Sequence, residues 1–159
     1  MVVTAQLFQL RSYALTNGGS ITAFGVALTE NFDSLPTANS VWADNATIPG
    51  WYANRVPLNA STGSLNTGAL YSFGAAGNGD RALGSVASGT TGTILYGVRL
   101  TNNTGGQITS LQVAYTGEQW RNGGNATKHS LTFQYQVANA GTLGNVSAGT
   151  WTTYAPLTF

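Results

Sequence analysis

The sequence contains no cysteine and little charge: only 7% of its 159 residues are Asp, Glu, Lys or Arg. Without cysteine there are no disulfides, no thiolate catalysis and no cysteine-ligated zinc. Typical soluble proteins carry about 25% charged residues. Here six Lys and Arg against five Asp and Glu leave a net charge of +1. That balance argues against electrostatic binding of nucleic acid or of an anionic membrane surface, so we expect no nucleic-acid partner.

Long apolar runs are also absent. No run of about 18 apolar residues occurs, so the sequence predicts no membrane insertion. Residues 1–5 lack the basic region and the apolar stretch of a signal peptide, so in an exported protein this chain would be a mature or excised piece. The polar residues are mainly Thr, Ser, Asn and Gln, with 21 glycines. Such a surface is typical of secreted bacterial modules, and we expect an extracellular or cell-surface location.

No segment carries the apolar stripe of a helix, whereas apolar residues alternate with a period of two in the segments 94–100, 111–115 and 131–137. Less regular strands are predicted at 3–7, 21–28, 70–73, 81–86 and 151–157. Short strands with one apolar face each must bury those faces against one another. The sequence therefore predicts an all-β fold, a two-sheet antiparallel β-sandwich of the jelly-roll type, with a closed barrel as the alternative.

The alternating segments also predict which side chains are buried. We expect the dry interface to include six of their apolar residues, namely Tyr96, Val98, Val113, Tyr115, Phe133 and Tyr135. Their polar neighbours Arg99, Gln112, Gln134 and Gln136 should face outward or line a groove. Residues 102–106 predict a hairpin or a short meander between two of these strands, and residues 36–68 predict long loops with one strand at most.

The sequence does not indicate catalytic residues. The single histidine, His129, has no second histidine with which to bind zinc and no identifiable serine and aspartate partners. The five carboxylates show no pairing signal for glycoside hydrolysis. The glycine-rich segment 74–79 lacks the Lys and Ser/Thr of a phosphate loop and predicts a turn. We therefore expect no enzyme activity.

Two short segments concentrate the charges, because Asp80 adjoins Arg81 and Glu118 lies close to Arg121. In a chain with few charges, acids beside arginines usually form pairs that tie loops to a sheet. We therefore expect Arg81 and Arg121 to take part in ion pairs or bidentate hydrogen bonds.

Two of the tryptophans lie in loop-like surroundings that suit a sugar site. Trp51 and Tyr52 follow Pro49-Gly50, and Trp120 stands between Gln119 and Arg121. A neutral sugar stacks its C–H face on an aromatic ring while amide and guanidinium groups bond its hydroxyls. The sequence therefore predicts a carbohydrate-binding patch made of Trp51, Tyr52, Trp120 and Arg121, with a neutral polysaccharide or cell-surface glycan as the partner.

No cofactor is expected, although a structural calcium ion is an open alternative. Calcium takes carboxylate and carbonyl oxygens as ligands. The candidate ligands are Glu30, Asp33 and Asp80 with Asn78, but no EF-hand loop or dense acidic cluster accompanies them.

A series of motifs from about residue 29 onward resembles a known family. They are 30–35 (ENFDSL), 48–52 (IPGWY), 70–74 (LYSFG), 79–85 (GDRALGS), 96–100 (YGVRL), 102–105 (NNTG), 108–111 (ITSL), 115–121 (YTGEQWR) and 149–152 (GTWT). Together they resemble an uncharacterised β-sandwich module of large secreted bacterial proteins. That module is found beside extracellular nuclease or lamin-tail domains, or ahead of PEP-CTERM-type sorting signals. The resemblance implies export, a β-sandwich and other domains of a larger secreted protein as partners.

The length suits a single domain over residues 1–159. Residues 29–159 match the module, and residues 1–28 supply N-terminal strands and a linker. Two functions stay open. The first is a non-catalytic carbohydrate- or surface-binding module of a secreted bacterial protein, and the second is a structural or adhesive spacer domain without a small ligand.

Overall fold

The structure is a computed structural model that describes residues 2–4 by their backbone, and residues 18–124, 126 and 129–159. These residues are all-β, with twelve strands and one short 3-10 helix, Ala155–Leu157. The strands are β1 (Val2–Thr4), β2 (Ser20–Ile21), β3 (Ser40–Val41), β4 (Trp51–Ala53), β5 (Pro57–Ser61), β6 (Ala69–Phe73), β7 (Ala82–Val86), β8 (Tyr96–Val98), β9 (Thr101–Asn102), β10 (Thr116–Glu118), β11 (Gln134–Tyr135) and β12 (Thr152–Thr153). No helix within these ranges is long and apolar enough to cross a membrane.

One six-stranded sheet organises the molecule, with the strand order β10-β1-β7-β6-β5-β3. Its neighbours run antiparallel except β5 and β6, which are parallel and align Leu58 with Leu70. Three two-stranded sheets accompany it: β4 with β8, β11 with β12, and the parallel pair β2 with β9. The prediction of purely antiparallel sheets is therefore wrong in two strand pairs.

The core lies on both faces of β6, whose five residues are all buried. Successive side chains of a strand point to opposite faces, so β6 contributes to two separate clusters. The Trp51 cluster consists of Phe32, Leu35, Trp42, Ile48, Trp51, Leu58, Leu70 and Leu83. The Tyr71 cluster consists of Ala69, Tyr71, Phe73 and Ala82, with Val86 and Trp120 packed against it. Ala53 of β4 and Tyr96 of β8 also pack against the Trp51 cluster, so the β4–β8 pair covers one face of the large sheet.

The composition of β6 explains why it forms the centre. Its aromatic and aliphatic residues favour extended backbone, and a strand covered on both faces carries apolar residues without strict alternation. Tyr71 and Phe73 stack with ring centroids 4.9 Å apart. At the end of the strand, Asn78 donates its N–H to the Ala75 carbonyl in the turn that leads to β7. The predicted strands at 70–73 and 81–86 and the turn between them are confirmed.

The predicted dry interface is wrong in three of its six positions. Val98, Val113 and Tyr135 are exposed, and only Tyr96, Tyr115 and Phe133 are half-buried. Alternation shows which residues share a face, but a second layer must cover that face before it becomes dry. Residues 111–115 form no strand in the described part of the chain. The segment 102–106 does turn, but β9, which ends in it, pairs with β2 and not with a following strand.

Residues 36–68, predicted as loops, supply much of the core instead. They contain β3, β4 and β5, and the buried side chains of Trp42, Ile48, Trp51 and Leu58. Tight bends separate these residues, and Asn45 has a positive φ of 57° in one of them. Buried residues that come from bends have no regular spacing, so periodicity could not identify them.

Candidate functional site

The two tryptophans predicted to belong to one patch lie on opposite faces of the six-stranded sheet. Trp51 belongs to the cluster that contains Leu70, whereas Trp120 packs against the cluster that contains Phe73. Leu70 and Phe73 point to opposite faces of β6 because they are three residues apart. The structure therefore places Trp51 and Trp120 on different sides of the sheet, and a single ligand-binding patch does not include both rings.

Trp51 is a core residue with 8% of its surface exposed. Its ring meets Phe32 edge-on, with centroids 4.9 Å apart. The indole Nε1 is buried and has no hydrogen-bond partner among the described residues. A ring buried in this way offers no face for a sugar, which corrects the expectation that Trp51 lies open in a loop.

Tyr52 points away from Trp51, as the next residue on a strand does, and Arg99 covers its ring. The guanidinium carbon of Arg99 lies 4.3 Å from the ring centroid, in a cation–π contact. Arg99 also donates Nη2–H bonds to the carbonyls of Leu143, at 3.2 Å, and Gly144, at 2.6 Å. Tyr52 and Arg99 together thus fix a distant loop on the β4–β8 sheet.

The Trp120 ring has a fixed orientation, and part of the residue's surface is still exposed to solvent. It lies two residues beyond the end of β10, and its indole stacks on Phe73 with centroids 6.0 Å apart and an interplanar angle of 12°. The indole Nε1 donates to Glu118 Oε2 at 2.8 Å. The residue is half-buried. Because two contacts fix its orientation, the ring can act as a rigid platform at little entropic cost.

Arg121, next to this platform, is held by the backbone of another loop. Its Nη1 donates to the carbonyls of Gly63, at 3.2 Å, and Ser64, at 3.1 Å. Gly63 has a φ of 94°, and a Cβ there would lie 1.9 Å from the Trp120 carbonyl oxygen. Only glycine permits that approach, so Gly63 helps to place both Trp120 and Arg121.

Arg81 is buried beneath the β6–β7 turn, with only 3% of its surface exposed. Its Nε donates to Ser72 Oγ at 2.9 Å, its Nη2 to the Ser72 carbonyl at 2.5 Å and its Nη1 to the Ala75 carbonyl at 3.4 Å. Burial lowers the pKa of the Arg81 guanidinium. The predicted paired hydrogen bonds of Arg81 and Arg121 thus exist, but carbonyl and hydroxyl oxygens accept them where carboxylates were expected.

The candidate calcium ligands already make hydrogen bonds to protein groups, and Asp33 Oδ1 accepts the Arg81 N–H at 3.4 Å across two loops. Asn31 Nδ2 donates to Asp33 Oδ2 at 2.5 Å, and Asp80 N–H donates to Asn78 Oδ1 at 3.1 Å. Glu30 is buried, and its Oε1 accepts the Phe32 N–H at 2.8 Å. Within residues 18–124 and 129–159, no three acidic or histidine side chains are grouped closely enough to hold a metal ion.

A cleft that sequence reasoning missed lies between the β3–β5 region and residues 145–147. It has a volume of about 360 Å³, and its lining includes Trp42, Asp44, Arg55, Val56, Asn145 and Ser147. The two sides come from parts of the chain roughly ninety residues apart, so no local spacing could reveal the cleft. The one local signal is Asp44 two residues after Trp42, where it accepts the indole Nε1–H at 2.8 Å.

Comparisons with protein-family models, with curated proteins and with solved structures give no match. The resemblance to a module of secreted bacterial proteins therefore stays a prediction that depends on the motifs alone.

Proposed function

We propose that the chain is a non-catalytic carbohydrate- or surface-binding module of a secreted bacterial protein, located outside the cell or on its surface. The observation that carries the proposal is the Trp120 platform, a half-buried indole backed by Phe73 and fixed through Nε1 by Glu118. A preorganised aromatic face beside polar groups is the usual recognition element for neutral sugars. Other domains of the same protein would be its covalent partners.

The fold proposed for this module is a two-sheet sandwich of the jelly-roll type. Its support is the packing of Ala53 and Tyr96 from the β4–β8 pair onto the cluster that contains Leu58, Leu70 and Leu83 of the large sheet. Two layers that share one apolar core are the basis of every β-sandwich.

The polar groups around Trp120 suit a chain of neutral sugar residues. Glu118 and Gln119 precede Trp120 in the chain; Gln119 is exposed, and its Nε2 donates to the Arg121 carbonyl at 3.2 Å, which leaves its Oε1 as an acceptor. Hydroxyls both donate and accept hydrogen bonds, so a carboxylate with a neighbouring amide can bind them. We expect a Kd in roughly the micromolar to millimolar range, because a sugar stacked on one ring buries little area. Affinity should vary little with salt, because neutral sugars release no counterions.

The test is calorimetric titration with soluble β-glucan, xylan, mannan and chitin oligosaccharides. We expect one of them to bind the parent protein, and we expect Trp120→Ala and Trp120→Phe to weaken that binding by about tenfold or more, since each removes indole area. Trp120→Phe keeps a ring on Phe73, so it serves if the alanine variant does not fold. Tyr154→Ala, at an exposed aromatic residue elsewhere, is the matched control and should bind like the parent.

The alternative function is a structural or adhesive spacer without a small ligand. Two observations favour it: Trp51 is part of the core, and Arg99 covers the Tyr52 ring. If none of the four glycans binds, or if binding is unchanged in both Trp120 variants, the platform is not a sugar site. The spacer then becomes the better description.

A further inference from the structure

We propose that the cleft lined by Trp42, Asp44, Arg55, Val56, Asn145 and Ser147 is a second binding site, which takes one neutral pyranose unit. It is independent of the Trp120 platform. Trp42 belongs to the cluster on one face of the large sheet, and Trp120 packs against the cluster on the other face. The volume of about 360 Å³ lies within the range of small-molecule sites, about 300 to 1,000 Å³.

One side of the cleft is a carboxylate with a fixed orientation. Asp44 Oδ1 accepts the Trp42 Nε1–H at 2.8 Å and the Ala53 N–H at 2.9 Å. Trp42 is buried in the core and Ala53 lies in β4, so both donors are held by regular packing. The residue is nevertheless exposed, and Oδ2 has no hydrogen-bond partner among the residues that the structure describes. Asp44 therefore offers one oriented acceptor to a ligand.

The opposite side of the cleft is a turn that two anchors hold in place. Asn145 Oδ1 accepts the Ser147 N–H at 2.9 Å, which leaves the amide Nδ2 as a donor. Val146, between them, is buried and anchors the turn. Arg99 holds the preceding residues through the carbonyls of Leu143 and Gly144. The cation–π contact between Arg99 and Tyr52 therefore helps to fix the segment that forms the second side of the cleft.

The charges of the cleft favour a neutral ligand. Arg55 balances the charge of Asp44, and its guanidinium donates to backbone carbonyls of Asn54, Thr91 and Thr93. Its two Nη groups are thus engaged, and Nε, which has no hydrogen-bond partner among the described residues, is buried away from the cleft surface, so the guanidinium is poorly placed to bind an anion. An acceptor on Asp44, a donor on Asn145 and a hydroxyl on Ser147 match the hydroxyls of a sugar. The exposed Val56 side chain supplies apolar surface for its C–H groups.

The experiment is NMR titration of the parent protein with methyl β-D-glucopyranoside, methyl α-D-mannopyranoside and N-acetylglucosamine. We expect at least one of them to shift the side-chain amide resonances of Asn145. Asp44→Asn retains an oxygen for Trp42 and Ala53 but removes the free acceptor, so Kd should rise about tenfold. Asn145→Asp retains the oxygen for Ser147 and replaces the donor with a second carboxylate, which should have a similar effect. Asp80→Asn, with the same charge change at an exposed loop, is the matched control and should bind like the parent.

Four results would overturn the proposal, of which the last also separates the two sites. The first is the absence of any shift up to roughly 50 mM of each sugar, a concentration beyond the weakest useful affinity. The second is binding that Asp44→Asn and Asp80→Asn affect equally. The third is a response to glucosamine, whose ammonium group would pair with Asp44, but to none of the neutral sugars. Loss of binding in Trp120→Ala with unchanged binding in Asp44→Asn would support the platform and reject the cleft, so the two sites are tested separately.

Discussion

The Tyr96 hydroxyl is buried and has no hydrogen-bond partner of good geometry among the described residues. Ser85 on β7 lies close enough to offset a small part of the effect, but burial dominates and raises the pKa of Tyr96 above its ordinary value of 10.0. A buried hydroxyl without a partner loses its hydrogen bonds to water and gains little in return. The ring of Tyr96, however, packs against the Trp51 cluster, and that contact explains why an aromatic residue occupies the site.

We expect Tyr96→Phe to leave the free energy of unfolding unchanged or to raise it by about 1 kcal/mol at neutral pH. The variant should also be less sensitive to alkali. The folded pKa of Tyr96 exceeds the unfolded one, so its contribution is complete below pH 10.0 and declines as the pH rises further, when only the unfolded state loses the proton. Urea unfolding at several pH values measures both effects. Tyr135→Phe, at an exposed position, is the control, and a cost above about 1 kcal/mol for Tyr96→Phe would show that the hydroxyl has a partner.

Two of the five acidic side chains accept a hydrogen bond from an indole N–H group. Trp42 donates to Asp44 and Trp120 donates to Glu118, each across two residues and each at 2.8 Å. This pattern explains why the predicted carboxylate partners of Arg121 were not found. Glu118 is close to Arg121 in sequence, but the structure records its bond to the indole, while Arg121 reaches the carbonyls of Gly63 and Ser64. Spacing alone could not distinguish these two outcomes.

At the scale of elements, Arg81 closes the β6–β7 hairpin. Its guanidinium donates hydrogen bonds to three oxygen atoms of Ser72 and Ala75. The guanidinium also lies close to Gly74, where a Cβ would be 2.4 Å from Nη1. We expect Arg81→Ala to lower the free energy of unfolding by about 2 to 4 kcal/mol, because buried oxygens lose their donors. Thermal or chemical unfolding measures the loss.

Arg121→Ala provides the comparison for this prediction. Arg121 is half-buried and donates to two carbonyls in a loop, where water can replace it. We expect its removal to cost about 1 kcal/mol or less. Equal costs for the two variants would contradict the special role of Arg81 in the hairpin.

The sequence was sufficient to predict β6 and β7 but not β3, β4 and β5, which lie in the segment 36–68. Residues 70–73 and 81–86 were predicted as less regular strands with a glycine-rich turn at 74–79 between them, and they form the central hairpin. The alternating segments were weaker guides, since Val98 and Val113 lie on faces that no described layer covers. Trp42 and Ile48 were missed because bends place them in the core, and a bend has no period.

At the scale of the whole molecule, only part of the candidate site could be predicted from the sequence. Sequence reasoning selected Trp120 and Arg121, which the structure does bring together beside Gly63. It joined them to Trp51 because both tryptophans lie in loop-like surroundings, but the two rings pack on opposite faces of the six-stranded sheet. The cleft with Asp44 and Asn145 depends on a contact between distant segments, which only the tertiary structure reveals.

The stability of the molecule should be concentrated around β5, β6 and β7. These strands make continuous ladders, and Leu70 and Leu83 are fully buried between them. By contrast, residues 75–77, in the turn between β6 and β7, are exposed. Amide exchange follows local opening, which ranges from near zero in unpaired segments to the full free energy of unfolding in core strands.

We therefore expect the amides of residues 69–73 to exchange at least roughly 10³-fold more slowly than those of residues 75–77, after correction for intrinsic rates. Hydrogen–deuterium exchange followed by NMR resolves both groups in one experiment. The amides of residues 134–135 in β11 should show intermediate protection from exchange, because this strand pairs with only β12 among the described strands. Protection of residues 75–77 equal to that of β6 would contradict this expectation, because it would show that the turn opens only when the whole hairpin unfolds.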